Sequence, residues 1–434
     1  MKNARFLEFM QDLLGERYEL FKSAYFDKPR FKALRVNTLK ISVSEFLKLF
    51  PHAERYNILC KQSLYCDVKP SLDPLYHAGL YYMQEPSASA AVAAFEPFIT
   101  GNVLDLCSAP GGKATQAAQV MHGAGLIFCN DPEYKRTRAI VENVERLGVT
   151  DAVVTCNTAA DYVRAGFASY FDTLMVDAPC SGGGITRYED VPYSKEIVAG
   201  CALRQREILR DAVELLRVGG YMLYSTCTFA KEENEDNIAF LRELGMRTVD
   251  IPLRQGEERG IGEKDARRVY PFAFDGEGHF YCVLEKVRVG AGADKKPLMR
   301  KKHECVKLNG LKLDVNVLCG KYTVLPIEPP ELDGLNVIRV GTPVFGEGRE
   351  ISHALTHALD KEQMRAFGTA ELGDAAHDYI CGRQMKFDAP KGELIATVNG
   401  YALGLTRSAA SGDGERALKN KYPKALRIPQ ERSF

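Results

Sequence analysis

The sequence predicts an α/β protein whose central part, from about Gly79 to Val287, is a parallel sheet of seven strands covered by helices on both faces. Three observations predict it. Strand-like and helix-like segments alternate, with strands at 102–107, 125–130, 151–156, 171–177, 219–226, 246–250 and 279–287 and helices at 111–121, 132–147, 195–216 and 232–243. The last strands follow one another closely, as a terminal pair. Several strands also end in glycine, acidic or cysteine-bearing turns, and the carboxyl edge is where an open α/β sheet keeps its chemistry.

The chain has 434 residues, too many for one core, so several domains are expected: 1–78, 79–287, a linker at 288–303, and 304–434. Its 57 basic and 57 acidic residues cancel, so a polyanionic partner must be held by local patches. Residues 1–30 mix charged with apolar residues and do not read as a secretory leader. No apolar run approaches the roughly 18 residues that cross a bilayer, and a cytoplasmic location is expected. The 12 cysteines form no Cys-x-x-Cys pair, which argues against a zinc site and a disulfide framework. No metal is expected.

Residues 1–78 open on a helical pattern at Phe6, Leu7, Phe9, Met10, Leu13 and Leu14, followed by a basic cluster of Lys28, Arg30, Lys32, Arg35 and Lys40. Such a cluster reads as solvated surface or as phosphate contact, and the first is commoner. The strand Val103-Leu104-Asp105-Leu106 runs into Cys107-Ser108-Ala109-Pro110-Gly111-Gly112-Lys113, a glycine turn that opens a helix and exposes N–H groups to an anionic part of a ligand. It is neither Gly-x-Gly-x-x-Gly nor a Walker A motif. The next strand ends in Asp131, placed to accept from ribose hydroxyls, and together these suit adenosine carrying an amino-acid tail. Asn157, after the third strand, is a candidate for an adenine edge, and Arg136, on the helix after Asp131, a candidate ligand contact. Turn chemistry and a solvated arginine are the ordinary alternatives.

The fourth strand delivers Asp177-Ala178-Pro179-Cys180-Ser181-Gly182-Gly183-Gly184, and the fifth Ser225-Thr226-Cys227-Thr228. Buried thiols at strand ends are usually inert packing, the reading kept for Cys107, Cys129 and Cys156. Cys180 and Cys227 differ in their polar, turn-forming settings. Carbon 5 of cytosine is a poor nucleophile, but a thiolate added to carbon 6 makes an enamine that accepts a methyl group from a sulfonium. A nearby carboxylate shares a proton with the ring, and a second thiol assists release. No histidine stands near either motif in the sequence to activate a thiol for hydrolysis. Beyond the linker, with its Lys295, Lys296, Arg300, Lys301 and Lys302, lie short strand-like runs at 322–327, 335–340, 393–398 and 401–406 and a helical insert near 353–366. The basic stretch Leu418–Arg427 closes a region consistent with RNA binding.

The chain resembles the NOL/NOP/Sun family of RNA 5-methylcytosine methyltransferases, most closely its bacterial RsmF-type branch that acts on small-subunit ribosomal RNA. The shared motifs are Arg35-Val36-Asn37-Thr38-Leu39, Gln84-Glu85-Pro86-Ser87, the glycine turn, both cysteine motifs and Gly276-Glu277-Gly278-His279-Phe280. The resemblance implies a class I (Rossmann-like) seven-stranded methyltransferase sheet, a small N-terminal α/β domain and a β-rich, PUA-like C-terminal RNA-binding region. It implies S-adenosylmethionine as donor, ribosomal RNA or an assembling small subunit as partner, Cys227 as nucleophile, Cys180 as releasing thiol and Asp177 as acid/base. Two positions depart from the family pattern: Arg187 is followed by Tyr188 where paired basic residues are common, and Asn157 stands where Asp is common. The alternatives are transfer RNA as substrate, a small-molecule methyltransferase, and a non-catalytic RNA-binding assembly factor, which intact Asp177, Cys180 and Cys227 oppose.

Overall fold

A computed structural model describes residues 3–187, 192–288, 299, 302–318, 320–410 and 416–428. Its largest sheet has ten strands. Val103–Asp105, Ile127–Asn130, Ala152–Thr155, Phe171–Asp177 and Leu216–Thr226 are its parallel part, and His279–Lys286 returns antiparallel against Leu216–Thr226. Met246–Thr248 pairs antiparallel with the outer side of His279–Lys286, so all seven expected strands share one sheet, but His279–Lys286 runs opposite to the other six where the sequence pattern predicts a wholly parallel sheet. The four expected helices are Gly112–Met121, Tyr134–Leu147, Lys195–Leu215 and Glu235–Glu243.

Alternate residues of these strands serve opposite faces, as the two-residue period of a strand requires. Leu104, Phe128, Leu174, Val176, Met222 and Tyr224 build one core, while Val103, Ile127, Cys129, Met175 and Leu223 build the other. With both faces buried, the parallel strands read as continuous apolar runs. Helix ends are set by local chemistry. Gly148, at φ 74°, closes Tyr134–Leu147, and Thr158 with Asp161 forms a capping box at Ala159–Arg164.

Three further strands extend the sheet. Glu258–Gly260 and Glu263–Val269 continue it beyond His279–Lys286, and Val337–Val340, from far along the chain, pairs antiparallel with Ala152–Thr155 at the opposite edge. The N-terminal region holds a separate four-stranded sheet, ordered Arg55–Asn57, Cys60–Tyr65, Ala33–Val36, Tyr81–Met83. The C-terminal region is β-rich, with one sheet of four strands and one of five. Lys302 opens the strand Lys302–Leu308; Lys295, Lys296, Arg300 and Lys301 lie outside the described residues. Among the described residues no helix is long and apolar enough to cross a membrane.

The N-terminal basic cluster fits neither expectation uniformly. Arg35 is fully buried and donates to Gln119, Gly112 O and Thr115 at 3.1, 2.7 and 2.8 Å, fastening the N-terminal sheet to the helix of the glycine turn. The Lys40 ammonium donates to Ala78 O and Arg146 O at 2.9 and 3.0 Å, and burial pulls its pKa down to about 7. These two cations are joints, whereas Lys28, Arg30 and Lys32 form ion pairs with Asp275, Glu277 and Asp67.

Candidate active site

Strand register assembles the site. In the parallel pairing of Phe171–Asp177 with Leu216–Thr226, Asp177 lies opposite Ser225; in the antiparallel pairing beyond, Phe280 lies opposite Thr226. Asp177, Ser225, Cys227 and His279 therefore share one carboxyl edge. The Asp177 carboxylate accepts from Lys113 Nζ at 2.7 Å and from Ser225 Oγ at 2.7 Å. Burial opposes the charge on both partners. The attraction outweighs it, holding Asp177 below the usual carboxylate range and Lys113 above its ordinary value.

Cys180 and Cys227 face each other with sulfurs 3.2 Å apart. Its hydrogen bond to Cys227, and then burial, push the Cys180 thiol well up. The Cys180 turn is anchored by buried Glu233, which accepts from Ser181 N at 3.0 Å, from Ser181 Oγ and from Gln205 Nε2 at 2.9 Å. The sequence expectation of no histidine near the motifs is corrected here: His279 Nε2 lies 3.8 Å from Asp177 Oδ1. Burial, and then Lys113, depress it to about 3, so it is a neutral imidazole beside the carboxylate. Antiparallel pairing brings it there from 102 positions away, which no local pattern announces.

The glycine turn lies on the same edge. Gly111 takes φ 105° ahead of the helix Gly112–Met121, and the turn closes through Gly111 N to Ser108 O at 2.6 Å. Ser108 N donates to Asn130 O at 2.7 Å, tying the turn to the strand that leads into Asp131. Arg136 clamps the two halves together: its guanidinium is 3.0 Å from Asp131 Oδ2 and donates to Ala109 O at 3.2 Å. Pro110 O accepts from Asn143 at 3.0 Å. Burial pushes the Cys107 thiol up, in keeping with a packing residue.

Asn157, expected at an adenine edge, is engaged otherwise. Its amide donates to Asn336 O at 3.2 Å and accepts from Asn336 N at 2.9 Å, so it binds the segment leading into Val337–Val340. Asp105 is the acid that the sequence reading passed over. It is fully buried at the head of the turn, its oxygens meet only weak contacts from Ser108 and the Cys107 N–H, and burial, then Asp177, push its carboxyl up to about 7. Its signal was a lone carboxylate inside the apolar strand Val103-Leu104-Asp105-Leu106. A buried acid without a well-formed hydrogen bond, the Ser108 hydroxyl beside it and a glycine turn fit a polar, amine-bearing ligand portion such as an amino-acid tail. No group of His, Cys, Asp and Glu with the geometry of a metal site occurs among the described residues.

Comparison with known proteins gives concordant results. Residues 92–285 match the family described as 16S rRNA methyltransferase RsmB/F, and residues 3–86 match the N-terminal domain of 16S rRNA methyltransferase RsmF. The chain is 34% identical over 445 aligned positions to ribosomal RNA small subunit methyltransferase F of Citrobacter koseri, covering 92% of this chain and 91% of that one. To the protein of the same description from Vibrio vulnificus it is 32% identical over 446 positions, covering 93% and 92%. A solved methyltransferase homolog protein from Pyrococcus horikoshii is 28% identical with a TM-score of 0.58, over 66% of this chain and 98% of that one.

Proposed function

Because the chain belongs to the family of ribosomal RNA small subunit methyltransferase F, we propose that it methylates carbon 5 of a cytosine in small-subunit ribosomal RNA through a covalent bond between Cys227 and carbon 6. The observation that carries this reading is the pair of sulfurs 3.2 Å apart beside the Asp177–Lys113 ion pair. A hydrolase would need a base for its thiol, and among the described residues no hydrogen bond joins an imidazole to Cys180 or Cys227.

S-adenosylmethionine, when bound, supplies a methyl group on a sulfonium. The residues that would hold it are the turn Cys107–Lys113, Asp105 toward the amino group of its tail and Asp131 toward its ribose, with Arg136 positioning Asp131. In the reaction the Cys227 sulfur bonds to carbon 6, and the ring electrons move to carbon 5, which takes the methyl group. As the adduct forms, the proton released by the Cys227 thiol passes through Asp177, oriented by Lys113 and Ser225, to ring nitrogen 3. Loss of the carbon 5 proton to water then expels the Cys227 sulfur as a thiolate, and ring nitrogen 3 returns its proton to Asp177. Cys180, in contact with that sulfur, assists the release.

The test separates the two thiols. Cys227→Ala should abolish transfer from labelled donor to the RNA while leaving donor binding intact. Cys180→Ala should methylate and then stall as a protein–RNA adduct that survives denaturing electrophoresis. An adduct trapped by Cys227→Ala instead would reverse the roles. Full activity in either variant would make its thiol structural.

A further inference from the structure

The helices Ala4–Leu14 and Tyr18–Asp27 pack against the wall of the active site, and polar contacts from Asn3 and Tyr25 converge on Thr186, at the end of the turn that carries Cys180. Asn3 Nδ2 donates to Thr186 O and, at 3.0 Å, to the Tyr25 hydroxyl. That hydroxyl lies 3.4 Å from Thr186 Oγ1, which in turn donates to Gly183 O at 2.8 Å. The next residue, Gly184, donates its N–H to Cys227 O at 2.8 Å. A chain of contacts thus runs from the N-terminal helices through the turn to the backbone of the sulfur-bearing residue.

The fit along this path is close. A Cβ on Gly184 would fall 2.8 Å from Cys227 O, and one on Gly183 would meet the Phe6 ring at 3.2 Å. Phe229, two residues past Cys227, packs edge-on against Phe21 with centroids 5.7 Å apart and stacks on Tyr270 at 5.6 Å. The aromatic rings hold the helices in place, while the hydroxyl and amide fix the register of the turn. Apolar packing alone does not select that register, because it is not directional.

We propose that Tyr25, supported by Asn3, is a positioning residue for methyl transfer: through Thr186 and Gly184 it sets the backbone at Cys227 and so the line along which the sulfur meets the ring. This inference rests on the thiol chemistry proposed above. Tyr25→Phe keeps the ring and removes the contact, and Thr186→Val removes the same contact from the other side. Thr186→Ser retains it.

The experiment measures kcat and KM for methyl transfer to the RNA, and the rate of adduct formation on RNA carrying 5-fluorocytosine, whose adduct cannot lose fluorine as a cation. Tyr25→Phe and Thr186→Val should each slow adduct formation and kcat by about tenfold or more, with KM and donor affinity within about twofold of wild type. Thr186→Ser should restore the rate. Wild-type adduct rates in both Tyr25→Phe and Thr186→Val would overturn the positioning role, as would equal loss in Thr186→Ser and Thr186→Val. A wild-type protein that methylates RNA yet forms no adduct with 5-fluorocytosine would instead sink the covalent reading itself.

Discussion

Replacing Asp177 by Asn should separate the chemistry of the site from its stability. The amide is nearly isosteric with the carboxylate: its oxygen can keep facing Lys113 and its NH2 can face Ser225 Oγ, so what is lost is the charge. A fully buried ammonium left without its partner costs about 3–5 kcal/mol. Here Lys113 is 9% exposed but its partner is 33% exposed, so water reaches the pair from the Asp177 side, and with the amide oxygen still accepting from Lys113 the cost falls to about 1–2 kcal/mol. Asp105 reduces it further: Asp177 is part of what keeps that acid protonated, and neutralising Asp177 lets Asp105 ionise as a replacement counter-ion for Lys113. Catalysis has no such substitute. Losing a positioned acid/base group should slow methyl transfer by about 10²–10⁴-fold. Incorporation of labelled methyl groups into the RNA and denaturant unfolding of the same preparation read both quantities. Activity above a tenth of wild type would refute the proton-sharing role. A stability loss beyond about 4 kcal/mol would show that Asp177 is chiefly structural.

Four further outcomes are expected. If the Asp105 carboxylate receives the amino group of the donor's tail, donor affinity should rise with pH through about 7 in the wild type, whereas Asp105→Asn should bind weakly with a flat profile by calorimetry. Stability without donor should run the other way: burial favours the protonated acid, so the wild type should lose stability as pH rises from 3.8 to about 7, and the Asn variant should not. Asp131→Ala should weaken donor binding by about 1.5–3 kcal/mol, the loss expected for hydrogen bonds to a charged acceptor, and an unchanged Kd would remove that assignment. On the C-terminal sheet Arg407 lies directly opposite Lys419, with both exposed, while Glu393 on the other side of Arg407 binds Lys421 at 2.7 Å. Like charges so placed are unfavourable without a polyanion to meet. Lys419→Ala should weaken RNA binding and lower its salt slope by about 0.7–0.9, and an unaltered slope would exclude the contact.

The parallel sheet was legible because its strands are buried on both faces and read as apolar runs, with Asp177 and Cys227 interrupting that pattern at its edge. The glycine turn, Asp131 and the two cysteines followed from local context alone. What escaped depends on distant partners. Arg35 and Lys40 look like surface cations until Gln119 and Arg146 are folded against them. His279 meets Asp177 only through antiparallel strand pairing. Asn157 finds its amide partner 179 residues away, in a segment whose strand character was visible but whose sheet was not. Lys113, grouped with the cofactor turn by its position, reaches Asp177 because the first turn of its helix points across the strand ends.

The strand Val337–Val340 has a practical consequence for dissecting this protein. It covers the hydrogen-bonding edge of Ala152–Thr155, and Cys156 N donates to Asn336 O at 2.9 Å just beyond. A chain ended near residue 300 would contain the thiols, the glycine turn and Asp131, yet would leave Ala152–Thr155 as an open edge of alternating backbone donors and acceptors. Open edges of this kind recruit other strands, so such a fragment should self-associate during preparation. Extending the fragment through Val340 restores that edge but leaves Leu311, Leu313 and Val315 without Val344, Leu355, Phe367 and Ile395, which complete their core, so the whole chain is the form expected to stay monodisperse in light scattering.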